Sequence, residues 1–187
     1  MTERMDRDIR KVPSGGPDRF AFAMSTGLWT GLAPFAPGTC GTLPGVILHL
    51  LAAWLIPPAW LKPALLFLFA AACLASLRFA PWAMAFWDTD DPKHFVLDEV
   101  AGYLLTILLF VPPAPLLPTA LWGFLLFRLF DVLKPPPAGW IDRHMKGPTG
   151  ILMDDLAAAV LAAGCLYLLR WAAAGGVPLA GWLPGPV

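Results

Sequence analysis

Residues 116–134 read LLPTALWGFLLFRLFDVLK. The run is apolar and long enough for a helix, and its charges stand only near one end. Arg128, Asp131 and Lys134 fall at i, i+3 and i+6, so on a helix Arg128 adjoins Asp131 and Asp131 adjoins Lys134. Pro135, Pro136 and Pro137 then stop the helix. A local ion-pair ladder with a Lys at the negative helix end would account for the spacing alone. But charge inside such a run costs several kcal/mol if desolvated. The pattern predicts an apolar membrane helix whose end carries function.

Four similar stretches surround it, at roughly 43–61, 63–80, 96–117 and 154–172. They predict an all-α, polytopic membrane bundle of about five apolar helices. Some fall short of the roughly 20 residues a span needs, so one of the five is open to being buried or re-entrant. Composition agrees. The 187 residues are 58% hydrophobic and 14% charged, with mean hydropathy +0.66; soluble domains average about 45–50% and about 25%. Nine Trp and 21 Pro suit interfacial anchors and turns. Zero net charge leaves no basic field for nucleic acid. Cys40, Cys73 and Cys165 have neither zinc spacing nor a disulfide pattern. Residues 1–22 read as a polar, flexible cytoplasmic tail, 23–174 as the membrane domain, and 175–187 as a short C-terminal tail.

The connections alternate. IPPAWLKP and VPPAPLLP are Pro-rich hairpins, whereas 81–95 and 134–153 are long and charged. With five crossings, all thirteen acids fall on one side of the membrane or at helix ends facing it. Of the thirteen Lys and Arg, only Lys62 and Arg170 fall on the other. The positive-inside rule then places the N-terminus and the charged face in the cytoplasm and the C-terminus outside.

Four segments meet at that face. Asp98 and Glu99 open the third stretch, and Asp154 and Asp155 the fifth. Acids at a helix N-terminus serve as caps or dipole partners, but adjacent pairs exceed that need. With Asp131 they make five carboxylates at one depth. These repel one another, and a hard divalent cation is the economical way to hold them. Before the first stretch lies APGTCGTLPG, where Gly38, Thr39, Gly41 and Thr42 could present N–H groups and hydroxyls to phosphate; a turn entering a helix is the equal alternative. In the long loop, Asp142, Arg143, His144 and Lys146 are either a phosphate grip or a solvated loop. His49, within an apolar run, reads as a packed core histidine, and Asp88 to Asp91 as solvent-facing.

The strings APGTCGTL, VLDEVAG, FRLFDVLKPPP and IDRHMKGPTGILMDD, in this order, resemble the bacterial phosphatidylglycerophosphatase A family over about residues 25–170. One departure is that Gly147 is followed by Pro148 and Thr149, where the family usually shows a Gly-Gly pair. The resemblance implies a Mg²⁺-dependent phosphatase that converts phosphatidylglycerol phosphate to phosphatidylglycerol at the cytoplasmic face of the inner membrane. The partners would be that phospholipid and the bilayer. It points to Asp98, Glu99, Asp131, Asp154 and Asp155 as the acidic, metal-binding and catalytic set. Arg128, Lys134 and Arg143, with Thr39, Gly41 and Thr42, would bind the substrate phosphate. Two rivals are a membrane phosphoalcohol transferase, whose longer Asp-rich motif is missing here, and a non-enzymatic divalent-cation binder, which would carry polar residues at mid-membrane.

Overall fold

The computed structural model describes residues 13, 16–34, 36–110 and 115–174, with backbone alone at 173–174. Among these residues there are seven α-helices and no strand. They are α1 Gly16–Ser25, α2 Pro37–Leu55, α3 Pro58–Trp87, α4 Leu97–Leu109, α5 Leu116–Leu133, α6 Ala138–His144 and α7 Pro148–Ala174, with a short 3-10 turn at Thr30–Leu32.

Four of these, α2, α3, α5 and α7, are long and apolar enough to cross a membrane. Their outward faces carry large apolar side chains, among them Trp54, Phe67, Leu74, Leu117, Val132, Leu168 and Trp171. So much exposed apolar surface is a lipid-facing property. The fold is an all-helical membrane bundle.

The third apolar stretch behaves differently from the other four. Its helix, α4, stops at Leu109, and Phe110 turns extended; residues 111–114 lie outside the described residues. Thirteen residues rise about 20 Å, too little for an ordinary span. Instead α4 is enclosed by α7, α3, α2 and α5. Val100, Ala101, Tyr103, Leu104 and Ile107 are all buried. Small residues let α7 approach closely, and the Thr106 hydroxyl donates to Gly102 O at 3.0 Å with Ala159 O of α7 3.5 Å away. The first described span also starts earlier than expected, at Pro37, and α3 runs on to Trp87 through part of the stretch read as a loop.

The N-terminal boundary shifts too. Helix α1 begins at Gly16, inside the stretch read as tail, because Phe22 has a place to bury beside Phe86 and Trp87. The Val96 N–H donates to Ser25 O, and His94 Nδ1 is hydrogen-bonded to Gly31 O, fixing this segment to the α3–α4 loop. Residues 1–12 and 175–187, the outer parts of the two predicted tails, lie outside the described residues.

The chain direction decides where function can sit. The N-termini of α2, α4 and α7 and the C-termini of α3 and α5 come together at one end of the bundle.

Candidate functional site

A cavity of about 350 Å³ opens at that end. Eight carboxylates line it: Asp90, Asp91, Asp98, Glu99, Asp131, Asp142, Asp154 and Asp155. Only four cations do: Lys93, Arg128, Lys134 and Lys146.

One side of the cavity is built on Arg128. Helix α5 presents Arg128 and Asp131 one turn apart, and Arg128 Nη1 lies 2.6 Å from Asp131 Oδ2. The same nitrogen lies 3.1 Å from Glu99 Oε1 on α4 and donates to Thr42 Oγ1 on α2. The one proton of the Thr42 hydroxyl is shared between Gly38 O at 2.9 Å and Glu99 Oε2 at 3.2 Å. Three helices are thus joined through charged and hydroxyl groups. The glycines of α2 make this possible. A methyl on Gly38 would lie 2.2 Å from Glu99 Oε1, and one on Gly41 would lie 2.3 Å from Val96 Cγ1.

The other side is built on Lys134. This residue closes α5 in the left-handed region, at φ 45°, with its N–H donating to Phe130 O at 2.8 Å. Such a conformation is costly for a side-chain-bearing residue and persists where its surroundings fix it. Here they do. Lys134 Nζ donates to Asp142 Oδ1 at 2.5 Å and to Asp154 Oδ2 at 2.6 Å, tying α5 to α6 and α7. A methyl on Gly139 would lie 2.2 Å from Lys134 O, so α6 sits directly on that backbone. Burial alone would lower the Lys134 pKa, but the bonds to Asp142 and Asp154 outweigh it and hold it raised. The bond from Lys134 holds Asp142 below the usual carboxylate range.

Between the two sides stand Asp98, Asp154 and Asp155, all buried. Asp98 Oδ1 accepts the Glu99 N–H at 2.9 Å. Asp98 also feels Glu99, Asp131 and Asp154, while Asp155 feels Asp131, Asp98 and Asp154. Asp154 Oδ1 and Asp155 Oδ2 are buried with no hydrogen-bond partner. An orphaned carboxylate oxygen normally costs several kcal/mol. Among the described residues no three acidic, His or Cys side chains already form a ready-made metal cage. The unpartnered oxygens nevertheless fit a hard, oxygen-seeking cation that also keeps waters or phosphate as ligands, as Mg²⁺ does.

The structure therefore brings together Asp98, Glu99, Arg128, Asp131, Lys134, Asp154 and Asp155, all singled out from sequence. It places the other four differently. Gly41 and Thr42 are buried within α2 and engage Glu99 and Val96 rather than the cavity. Thr39 is half-buried outside the lining, and Arg143 is exposed on α6 outside it. Lys146 lines the cavity instead. Asp90 and Asp91, read as solvent-facing, are exposed but also form its rim, as does Lys93, which the sequence reading passed over. Their signal was only a charged loop. His49 is a packed core residue as expected, hydrogen-bonded to Tyr103.

A family described as Phosphatidylglycerophosphatase A matches residues 23–170. A Bacteroides thetaiotaomicron protein named "Putative phosphatidylinositol-3-phosphatase" is 31% identical over 160 residues, covering 83% of this chain and 96% of its own. The Escherichia coli phosphatidylglycerophosphatase A is 31% identical over 151 residues, covering 78% and 81%. The Haemophilus influenzae phosphatidylglycerophosphatase A is 31% identical over 154 residues, covering 79% and 87%. No solved structure matches.

Proposed function

The chain belongs to the phosphatidylglycerophosphatase A family and is a phosphatase, and from that premise we propose that it removes the terminal phosphate of phosphatidylglycerol phosphate, leaving phosphatidylglycerol. The site would be Mg²⁺-dependent and would face the cytoplasm from a bacterial inner membrane, as the charge distribution suggests. One observation carries the reading. At a cavity where carboxylates outnumber cations two to one, two buried carboxylate oxygens on α7 have no partner. A phosphate dianion is repelled from such a site until a cation neutralises it.

Asp154 and Asp155, with Asp98 beside them, are the residues that would hold the cation. When bound, Mg²⁺ supplies charge neutralisation at the phosphate and acidifies a water. The chain does the rest. Lys134 and Arg128 face the phosphate oxygens and offset the charge that grows as the P–O bond to glycerol breaks. A carboxylate outside the cation's shell accepts the proton of the attacking water. The exposed Lys93 and Lys146 draw an anionic headgroup to the rim. Apolar helix faces leave the acyl chains in the bilayer.

A second reading rests on the Bacteroides relative, whose name specifies an inositol phospholipid monoester. Phosphate release by the purified protein from phosphatidylglycerol phosphate and from phosphatidylinositol 3-phosphate, each with Mg²⁺ or with EDTA, separates the two. We expect turnover of the glycerol lipid, lost in EDTA. Full activity in EDTA would remove the cation from the mechanism, and preference for the inositol lipid would replace the substrate.

A further inference from the structure

Tyr103 is fully buried one helical turn beyond Glu99 on α4, and the reaction outlined above makes no use of it. Its hydroxyl is joined to His49 Nδ1 on α2 by a 2.9 Å hydrogen bond, and the two rings lie 6.1 Å apart. Its ring packs closely on a glycine of α2: a methyl on Gly45 would lie 3.2 Å from Tyr103 Cδ1. On α5 a methyl on Gly123 would lie 3.8 Å from Tyr103 Cε2, an ordinary contact, while Ile107 Cδ1 at 2.7 Å fills that space. Tyr103 therefore packs on α2 and reaches α5 from α4. These same three helices carry Thr42, Glu99 and Arg128. The two layers are stacked: Thr42–Glu99–Arg128 at the cavity, and His49–Tyr103 one to two turns deeper.

We propose that Tyr103, held by His49, is a positioning residue: it sets the spacing of α2, α4 and α5 beneath the cavity and thereby fixes where Glu99 and Arg128 stand. The proposal rests on the phosphatase reading of that cavity. A merely space-filling ring would explain the packing against Gly45. It would not explain a hydroxyl and an imidazole in an apolar interior, where each is costly without the other. A hydrogen bond has a fixed length and direction, so it sets a helix register that apolar packing leaves looser.

The test is a kinetic cycle on the full-length protein in detergent micelles. Tyr103→Phe removes one oxygen and keeps the ring. Displacing reacting groups by a fraction of an ångström to 1 Å lowers rates by up to about 10²-fold. We expect kcat to fall about 10-fold with KM held within about twofold. In a Glu99→Gln background the same change should cost clearly less than about 10-fold, because much of its effect runs through Glu99. Wild-type kcat in Tyr103→Phe, or losses that multiply in the double variant, overturns the proposal. If Tyr103→Phe fails to fold, His49→Gln, which keeps a hydrogen-bonding group, should retain kcat while His49→Leu loses it; equal losses overturn it. Absence of phosphate release by the wild type would be a failure of the phosphatase reading instead. In that case amide exchange over residues 97–101 decides: faster exchange in Tyr103→Phe supports the placement, and unchanged exchange overturns it.

Discussion

The two sides of the cavity hold similar residues and solve the same problem differently. At Arg128, one guanidinium serves Glu99, Asp131 and Thr42, and all four are largely buried. At Lys134, one ammonium serves Asp142 and Asp154 but leaves Asp154 Oδ1 and the neighbouring Asp155 Oδ2 unanswered. On the Arg128 side both carboxylates are paired, although Arg128 Nε is buried without a partner. A side with orphaned oxygens is finished only when something binds. Charge in this site is divided between holding helices together and awaiting a ligand.

The largest effect should follow from neutralising the unanswered side. Asp155→Asn removes a carboxylate whose Oδ2 has no partner, and Asp154→Asn one whose Oδ1 has none although Oδ2 is paired with Lys134. We expect turnover to fall on the order of 10³-fold, as when one member of a cooperating catalytic set is removed. Asp155→Asn should hold or gain stability, because an unpaired buried charge is lost, whereas Asp154→Asn also gives up the ion pair with Lys134 and should lose some. Phosphate release and thermal unfolding on the same preparations check both halves. Near-normal turnover in either variant would take that residue out of the site.

The paired side should respond in the opposite order. Arg128→Met strands Glu99 and Asp131 with no counter-charge, and breaking a buried pair from one side costs about 3–5 kcal/mol. Unfolding in denaturant should show that loss. Arg128→Lys should recover part of it, since an ammonium keeps the counter-charge but not the reach and shape of the guanidinium, whose Nη1 meets all three partners. If Arg128→Met unfolds like wild type but loses turnover as severely as Asp154→Asn, the division between the two sides collapses.

This division also marks what the sequence could reveal. Asp98, Glu99, Arg128, Asp131, Lys134, Asp154 and Asp155 were legible because a charge inside an apolar run is costly and needs a reason. The helix around Leu116–Leu133 was legible for the same cause. Gly38, Gly41 and Thr42 were ambiguous, because glycine permits both a phosphate loop and a close helix crossing, and only the position of α4 decides. Pro37, at the first turn of α2, starts a helix there rather than ending a loop. Arg143 and Lys146 differ by three residues, and the short helix α6 turns one away from the cavity and leaves the other beside it. No periodic pattern over seven residues fixes that phase. The length of α4 was hidden because an enclosed helix and a lipid-facing one are equally apolar, and burial is a property of its neighbours.

The smallest effect tests the outer bond of the Lys134 side. Asp142 is 41% exposed at its side chain and Lys134 31%, so water screens their pair. After that screening the contribution is within about 1 kcal/mol. Its pH dependence has a definite sign. The hydrogen bond from Lys134 lowers the Asp142 pKa, so the folded state binds that proton less readily than the unfolded chain. The stability it contributes is complete above the ordinary carboxylate value of about 3.9 and drains away as pH falls through the lowered folded value. The raised pKa of Lys134 acts at the other extreme: its contribution is complete below about 10.4 and is lost only as pH rises through the folded value. Near neutrality both are flat. Asp142→Asn should therefore be slightly less stable than wild type at pH 7, and the gap should close in acid, followed by thermal unfolding across the pH range. A gap that persists fully in strong acid would mean Asp142 acts through packing rather than charge, and the outer bond would then belong with the paired, structural side.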